Sequence, residues 1–254
     1  MKLFQSRKTP AKGHEVHPDF PGNTGLHYRK VLNGIAARLN AEWYLEIGSR
    51  DGRSIAECTC NFIAVDPVFA VKYDVFNTAR QMHFMQQTSD DFFASGFLGK
   101  NEIFPDFTFI DGMHHFEFAL RDFMNAEKAM RPGGVIAFHD VGPYNYDMVT
   151  RDITHMTKLG RPWTGDVWKV LDILATYRPD LQIDLLSAAT TGLGCVTGLD
   201  SANTVLDAKY DSIVAEYMDR ELRAIGAAAY FDKVPPKDPE AYWRHFGPDI
   251  QSID

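Results

Sequence analysis

The chain has 254 residues, of which 45% are hydrophobic and 24% charged, proportions that suit one globular domain with additions or two small domains. Its net charge of −8 gives no reason to expect a nucleic-acid-binding face, and no segment has the apolar length of a signal peptide or a membrane span. The three cysteines, Cys58, Cys60 and Cys195, are too few for a disulfide scaffold and match no common zinc spacing. We therefore expect a cytoplasmic globular protein that binds neither nucleic acid nor membrane.

Residues 26–140 alternate short apolar runs with segments of helical periodicity. The apolar runs predict five strands, at 43–47, 62–66, 83–86, 107–110 and 135–138. Helices are predicted at 28–39, 53–60, 71–80 and from 116 onward, with a polar stop at 88–91 and no clear type at 92–100. This alternation is typical of a doubly wound α/β fold, in which right-handed crossovers connect parallel strands.

The second part of the chain departs from this alternation. A loop-rich aromatic segment at 141–165 should lie above the end of the sheet, and a helix is predicted at 167–177. Two strands, 182–186 and 194–197, are close enough in sequence for an antiparallel hairpin. A last helix is predicted at 204–222, followed by a Pro-rich aromatic tail that should pack along the surface. We accordingly divide the chain into an N-terminal arm (1–25), a main domain (26–200) and a C-terminal helical extension and tail on that domain (201–254).

The turn after the first predicted strand has the features of a cofactor-binding loop. Gly48 and Gly52 permit a sharp turn and a close approach of backbone to ligand. A dinucleotide fingerprint would begin with glycine where this chain has Glu46, and a carboxylate there would repel a pyrophosphate but suit a cofactor with a cationic part. Asp66 ends the second strand and is placed to accept hydrogen bonds from ribose hydroxyls.

The pattern E-x-G-x-x-x-G, with an acid at the end of the second strand, resembles the S-adenosylmethionine site of class I methyltransferases. The resemblance covers about residues 28–200 and includes the Pro-Gly-Gly turn and the terminal hairpin. It implies a Rossmann-like sheet of seven strands, mostly parallel with an antiparallel last strand, in the order 3-2-1-4-5-7-6. It also implies that the loop after the third strand meets the adenine of the cofactor. The cofactor-binding residues expected on this basis are Glu46, Gly48, Ser49, Gly52, Ser54, Asp66, Ser89, Asp90 and Asp111.

A second group of polar residues follows the fourth and fifth predicted strands. Asp111 ends one of them, and His139 and Asp140 end the other. Because neighbouring parallel strands end at the same edge of a sheet, these three potential metal ligands should converge there. The sequence therefore favours an active site at this edge over a purely structural role.

The stretch from Asp111 to Asp140 resembles a branch of small-molecule O-methyltransferases that includes sugar and natural-product enzymes, and its layout is similar to catechol O-methyltransferase. The metal ligands of that enzyme carry over by position to Asp111, His139 and Asp140, although His139 stands where an acid is usual. Mg²⁺ prefers oxygen ligands, whereas an imidazole favours Mn²⁺ or another transition metal. The alternative is that no metal binds and that His139 donates to a backbone carbonyl and orients Asp140.

His114 follows Asp111 by three residues, where catechol O-methyltransferase has a basic lysine. An imidazole at this position can take a proton from a hydroxyl during methyl transfer. The alternatives are a helix-capping or a supporting role. The sequence thus predicts S-adenosylmethionine-dependent methylation of a hydroxyl on a small molecule (a sugar, a phenol or a natural product), with His114 and Asp111 as catalytic residues.

Two other function classes stay open on sequence alone. An NAD-dependent oxidoreductase is disfavoured by Glu46 and by the absence of a Tyr-x-x-x-Lys pair. A non-catalytic cofactor-binding protein of the same fold is the other alternative. If the protein is a methyltransferase, its expected partner is a small-molecule acceptor. The N-terminal arm and the aromatic tail also suggest the hypothesis of a homodimer.

Overall fold

The computed structural model describes residues 15–76, 81–154 and 162–243. The first half of the chain alternates helices with strands. In chain order these are α1 (Tyr28–Arg38), β1 (Trp43–Ile47), β2 (Asn61–Val65), β3 (Met82–Met85), α2 (Ser89–Ala94), α3 (Phe97–Lys100), β4 (Phe107–Ile110), α4 (Phe116–Ala129) and β5 (Val135–His139). A short 3₁₀ helix, Ile55–Glu57, replaces the predicted helix between β1 and β2.

The second half completes the sheet and adds helices. Its elements are α5 (Trp168–Tyr177), β6 (Gln182–Leu186), β7 (Leu193–Thr197), α6 (Val205–Tyr217), α7 (Leu222–Ile225), α8 (Ala227–Lys233), β8 (Pro236–Lys237) and α9 (Pro239–Trp243). None of the helices in the described ranges combines the length and the hydropathy that crossing a bilayer requires.

The strands form one sheet in the order β3-β2-β1-β4-β5-β7-β6-β8. The neighbours from β3 to β5 pair in parallel, and β7 runs antiparallel to both β5 and β6. The predicted Rossmann-like order 3-2-1-4-5-7-6 with a reversed last strand is therefore confirmed. An eighth strand, β8, extends the sheet by pairing in parallel with β6.

Helices cover both faces of the sheet, with α1 on one side and α4 and α5 on the other. Along β1, Tyr44 joins the apolar cluster that includes α1, whereas Leu45 joins the cluster that includes α4 and α5. Successive side chains of a strand point to opposite faces, so a strand between two helical layers is apolar throughout. This explains why the central strands could be predicted as unbroken apolar runs.

The segment after β2 differs from the predicted helix at 71–80. Residues 71–76 form a loop that is tied to the β1–β2 connection, since the Lys72 N–H donates to the Asp51 carbonyl at 2.9 Å. Backbone groups engaged in this way are not available for helical hydrogen bonds. The rest of the predicted helix, 77–80, lies outside the described residues.

Three further predictions about elements need correction. The polar stretch 88–91 begins α2, because the Thr88 hydroxyl accepts the Asp91 N–H at 3.1 Å and caps the helix. The helix predicted at 204–222 is divided, with α6 ending before α7 begins. The tail adds β8 to the sheet and buries Tyr242 of α9, where the sequence predicted only surface packing.

Candidate active site

A cleft of about 700 Å³ opens where β1, β2, β4 and β5 end. Most of the predicted site residues line it, and they come from the loops that follow these strands and β3. They are Gly48, Ser49, Ser54, Asp66, Ser89, Asp90, Asp111, His114, His139 and Asp140. Glu46 and Gly52 are the two predicted site residues that lie outside this lining.

Gly48 brings the loops after β1 and β4 into contact. Its φ is +93°, and a Cβ at this position would lie 2.1 Å from the carbonyl oxygen of Asp111. Only glycine fits this backbone conformation and this spacing. Gly52 has a φ of +79° and packs against Val75, so its glycine is explained by the turn and by packing.

Glu46 is buried beneath the cleft, with 1% of its surface exposed. Its carboxylate accepts hydrogen bonds from the Tyr44 hydroxyl at 2.6 Å and from Ser54 Oγ at 2.7 Å. Burial raises the pKa of this carboxyl to about 7, although these hydrogen bonds oppose the shift. Because Ser54 lines the cleft, it is the side chain that connects Glu46 to the ligand volume.

Asp66 is oriented by two backbone amides. Its Oδ2 accepts the Arg50 N–H at 2.9 Å, and its Oδ1 accepts the Val68 N–H at 2.7 Å. Each carboxylate oxygen can accept a second hydrogen bond, and the side chain lines the cleft. This arrangement suits recognition of a pair of hydroxyl groups such as those of a ribose.

Ser89 and Asp90 reach the cleft from the first turn of α2. The two oxygens of Asp90 accept hydrogen bonds from Arg121 at 3.0 and 2.7 Å. This pairing lowers the pKa of Asp90. Arg121 thus orients Asp90, which lies on the side of the cleft that the methyltransferase resemblance assigns to adenine.

Four side chains, two from the loop after β4 and two from the end of β5, meet at the other side of the cleft. His139 Nδ1 lies 3.2 Å from Asp111 Oδ1 and 3.4 Å from Asp140 Oδ2. His114 Nε2 lies 3.4 Å and 3.2 Å from the same two oxygens. The predicted convergence of Asp111, His139 and Asp140 is present, and His114 joins it.

The second nitrogen of each imidazole has its own partner. His114 Nδ1 lies 3.2 Å from the Trp163 carbonyl oxygen, and the His114 ring stacks on the Trp163 indole with centroids 4.8 Å apart. Because a carbonyl only accepts, Nδ1 carries a proton, and in the charged form of His114 the second proton, on Nε2, faces the two acids. His139 Nε2 faces Thr191 Oγ1 at 3.3 Å, so its partners are side chains and not the backbone carbonyl of the alternative interpretation.

Residues 45–141, which run from within β1 to just beyond β5 and include most of the cleft loops, match the family profile described as a methyltransferase domain. This segment of the chain is thus similar to methyltransferase domains. Together with the sheet order, this match supports the predicted resemblance to class I methyltransferases, the enzymes whose methyl donor is S-adenosylmethionine (SAM). No curated protein matches the chain.

Solved structures of low sequence identity resemble the methyltransferase domain. One is the O-methyltransferase TomG from Streptomyces achromogenes, involved in tomaymycin synthesis and crystallised with SAM: the identity is 17%, 67% of this chain and 78% of that chain are covered, and the TM-score is 0.46. Another is an O-methyltransferase from Bacillus cereus in complex with SAH: the identity is 16%, 72% of this chain and 83% of that chain are covered, and the TM-score is 0.46.

The acids and imidazoles of the methyltransferase cleft stabilise one another's charged forms. Burial raises the pKa of Asp111, but His139 and His114 outweigh it and hold the pKa below its usual value. The pKa of Asp140 is lowered for the same reason. Burial lowers the pKa of both imidazoles, but the carboxylates outweigh it and raise the pKa of His114 and, more strongly, that of His139.

The donor set at this end of the cleft fits a divalent cation. Asp111, His139 and Asp140 each offer one ligand atom, and these atoms lie within 4.8 Å of one another. Two carboxylates and an imidazole are ligands that Mn²⁺ and similar metals accept. Asp140 has a φ of +60°, a conformation that non-glycine residues adopt rarely and that is often found at functional sites.

The methyltransferase cleft also includes residues that the sequence interpretation did not name as site residues. Among them are Tyr28, Met113, Phe118 and Asp122. The Tyr28 ring packs against His139, with ring centroids 4.1 Å apart and ring planes tilted by 41°. Phe118 and Asp122 are four residues apart on α4 and so share a helix face, a spacing that could have indicated them.

Proposed function

We propose that this protein transfers the methyl group of SAM to a hydroxyl group of a small molecule. The observation that supports this proposal is the position of His114. Its imidazole lines the same cleft as the Gly48 loop and Asp66, and it lies beside two carboxylates. The expected cofactor residues and a side chain that can accept a proton thus line one cleft, as transfer to a hydroxyl would require.

In the proposed reaction the protein aligns two molecules and removes a proton. Bound SAM supplies an electrophilic methyl group on its sulfonium. Asp66 would hold the ribose, and the Gly48 loop would allow the methionine part to approach the backbone. In its neutral form, which the two carboxylates disfavour, His114 would accept the hydroxyl proton at Nε2, while the Trp163 carbonyl keeps the other proton on Nδ1 and fixes the ring. Holding both reactants in line contributes most of the remaining rate enhancement.

Asp111, His139 and Asp140 would hold a divalent cation in this site. A metal bound there would lower the pKa of a coordinated hydroxyl and so ease its deprotonation. Asp111 belongs to both halves of the site, since its backbone contacts the Gly48 loop and its side chain faces the two imidazoles.

The proposal is tested with SAM labelled in its methyl group, offered with a panel of phenols, catechols and sugars and a matched panel of amines. We expect label in methyl ethers only. His114→Ala should slow this transfer by about 10²–10⁴-fold, the usual contribution of a positioned acid–base residue, while S-adenosylhomocysteine affinity stays near that of the wild type. The matched control is His115→Ala, whose imidazole faces the Arg151 carbonyl instead of the acids. Label on amines, or equal turnover of both variants, would contradict the proposal.

A further inference from the structure

Cys58 and Cys60 place two thiols in contact at the end of the connection between β1 and β2. Both are reduced, and their Sγ atoms lie 3.4 Å apart. Cys58 follows the 3₁₀ helix Ile55–Glu57, and Cys60 directly precedes β2. Because a disulfide bond is about 2.05 Å long, a small approach of the two sulfurs would be enough to form one. The methyl transfer proposed above uses neither cysteine.

The two thiols differ in exposure and in acidity. Cys58 is buried, whereas Cys60 is half-buried. A hydrogen bond from the Cys58 thiol lowers the pKa of Cys60 against the effect of burial. The same hydrogen bond, together with burial, raises the pKa of Cys58. A partly exposed cysteine of lowered pKa is the one that reacts as a thiolate, so Cys60 would attack first and Cys58 second.

Cys58 also contacts the part of the protein that supports the cleft. It lines a small cavity together with Tyr44 and Ser54, the two residues whose hydroxyls donate to the buried Glu46. Ser54 lines the cleft and begins the 3₁₀ helix that ends at Cys58. A movement of Cys58 toward Cys60 would therefore displace this one-turn helix and disturb the hydrogen bond between Ser54 and Glu46.

We propose that Cys58 and Cys60 are a modification site, which a low-molecular-weight disulfide of the glutathione type oxidises to an intramolecular disulfide that weakens binding in the cleft. The thiol chemistry is independent of the proposed function, and only its effect on cofactor binding rests on that function.

The oxidation proceeds by two exchanges of a disulfide bond. The Cys60 thiolate attacks one sulfur of the small disulfide, whose S–S bond breaks as the mixed disulfide forms and one small thiolate leaves. Cys58 then loses its proton to solvent and attacks the Cys60 sulfur, which releases the second small thiolate. Each leaving thiolate takes up a proton. Two protein thiols are thus oxidised, and one small disulfide is reduced to two thiols.

The first test incubates the reduced protein with excess oxidised glutathione and measures its mass. We expect the wild type to lose two hydrogens and to retain no glutathione, and peptide mapping should place the disulfide between Cys58 and Cys60. Dithiothreitol should restore both thiols. Cys195 is the internal control, because it is fully buried in β7 and burial raises its pKa, so it should stay reduced.

Two single variants separate the roles of the thiols. Cys58→Ala lacks the second thiol and should keep one glutathione on Cys60. Cys60→Ala leaves only the buried thiol of the pair and should react about tenfold or more slowly than the wild type. A wild type that does not react, or that stops at the mixed disulfide, would overturn the inference, and neither result depends on how the variants fold.

Calorimetric titration with S-adenosylhomocysteine measures the effect on the cleft. The disulfide form should bind it about threefold or more weakly than the reduced form, as expected for the loss of one hydrogen bond. The double variant Cys58→Ala/Cys60→Ala has neither thiol, so the oxidant should leave its affinity unchanged. Equal affinity of the reduced and disulfide forms would overturn the proposed effect on binding. Binding by neither form would contradict the proposed function instead, and the mass measurement would still decide the thiol chemistry.

Discussion

Asp111, His139 and Asp140 illustrate what single residues reveal before a structure is known. Each directly follows a run of apolar residues, and parallel strands end at one edge of a sheet, so their convergence could be predicted. The partners that orient the imidazoles could not be predicted. The Trp163 carbonyl and the Thr191 hydroxyl come from loops whose paths depend on tertiary packing.

Asp122 is a residue whose place in the cleft could not be predicted from the sequence. Its spacing from Phe118 marks a shared helix face, but a helix face alone does not distinguish the protein core from a cleft. Only the placement of α4 beside α2 shows that this acid lines the cleft and has an oxygen without a partner among the described residues. Glu46 is a second such residue. Its spacing from Gly48 and Gly52 indicated a cofactor contact, but the sequence did not indicate that Glu46 is buried below Ser54.

The metal hypothesis is a prediction about individual side chains. We expect the wild type to bind one Mn²⁺ in a calorimetric titration, and to prefer it over Mg²⁺ because of the imidazole. Asp140→Asn replaces a charged ligand with a neutral one and should weaken Mn²⁺ binding by about tenfold or more. Asp147→Asn removes the same charge from an exposed position in the loop after β5 and should bind Mn²⁺ as the wild type does. No saturable Mn²⁺ binding, or equal binding by both variants, would contradict the hypothesis.

The segment before α5 holds the backbone around His114 in place through a set of linked hydrogen bonds. The Asp166 N–H donates to the His114 carbonyl at 3.2 Å, and Asp166 Oδ1 accepts the Phe116 N–H at 3.0 Å. Lys169 and Arg151 in turn hold the other oxygen of Asp166, at 2.9 and 2.7 Å. The sequence predicted only that this region lies above the sheet, because a loop without periodicity gives no contact partners.

A substitution at Gly165 tests whether this segment positions His114. Its φ is +58°, and a Cβ would lie 1.8 Å from the His114 carbonyl oxygen, so Gly165→Ala must displace the backbone of His114. Gly133→Ala is the matched control, since its φ is +83° and no described heavy atom lies within 4 Å of the added Cβ. Both variants should lose about 1 kcal/mol of stability from the unfavourable φ, and Gly165→Ala should lose more because its Cβ collides with the His114 backbone.

Turnover should separate the two glycine variants. Gly165→Ala is expected to lower kcat by about 10²-fold, the effect of a misplacement of about 1 Å at a catalytic group. Its S-adenosylhomocysteine affinity should change little, because the cofactor loop follows β1. Gly133→Ala should keep the kcat of the wild type. Equal kcat values in thermally matched samples would show that the loop does not position His114.

At the scale of the molecule, the alternation of apolar runs and helical segments predicted a doubly wound parallel sheet, and the resemblance to class I methyltransferases implied the strand order from β3 to β6. The eighth strand escaped prediction because Pro236–Lys237 is too short to show any periodicity. It is held by the Ser187 N–H, which donates to the Lys237 carbonyl at 2.9 Å, and by an ion pair between Lys237 and the buried Asp184. The division into arm, domain and extension and the homodimer stay predictions.

The central claim is that the cleft binds a SAM-type nucleoside through Asp66, and calorimetric titration with S-adenosylhomocysteine and with NADH tests it most directly. We expect one site for S-adenosylhomocysteine and no binding of NADH. Asp66→Asn should weaken binding by about tenfold or more, because hydrogen bonds to a charged group are lost. Asp74→Asn, an exposed acid outside the cleft lining, should bind as the wild type does. Binding of NADH without S-adenosylhomocysteine, or an unchanged affinity in Asp66→Asn, would contradict the claim.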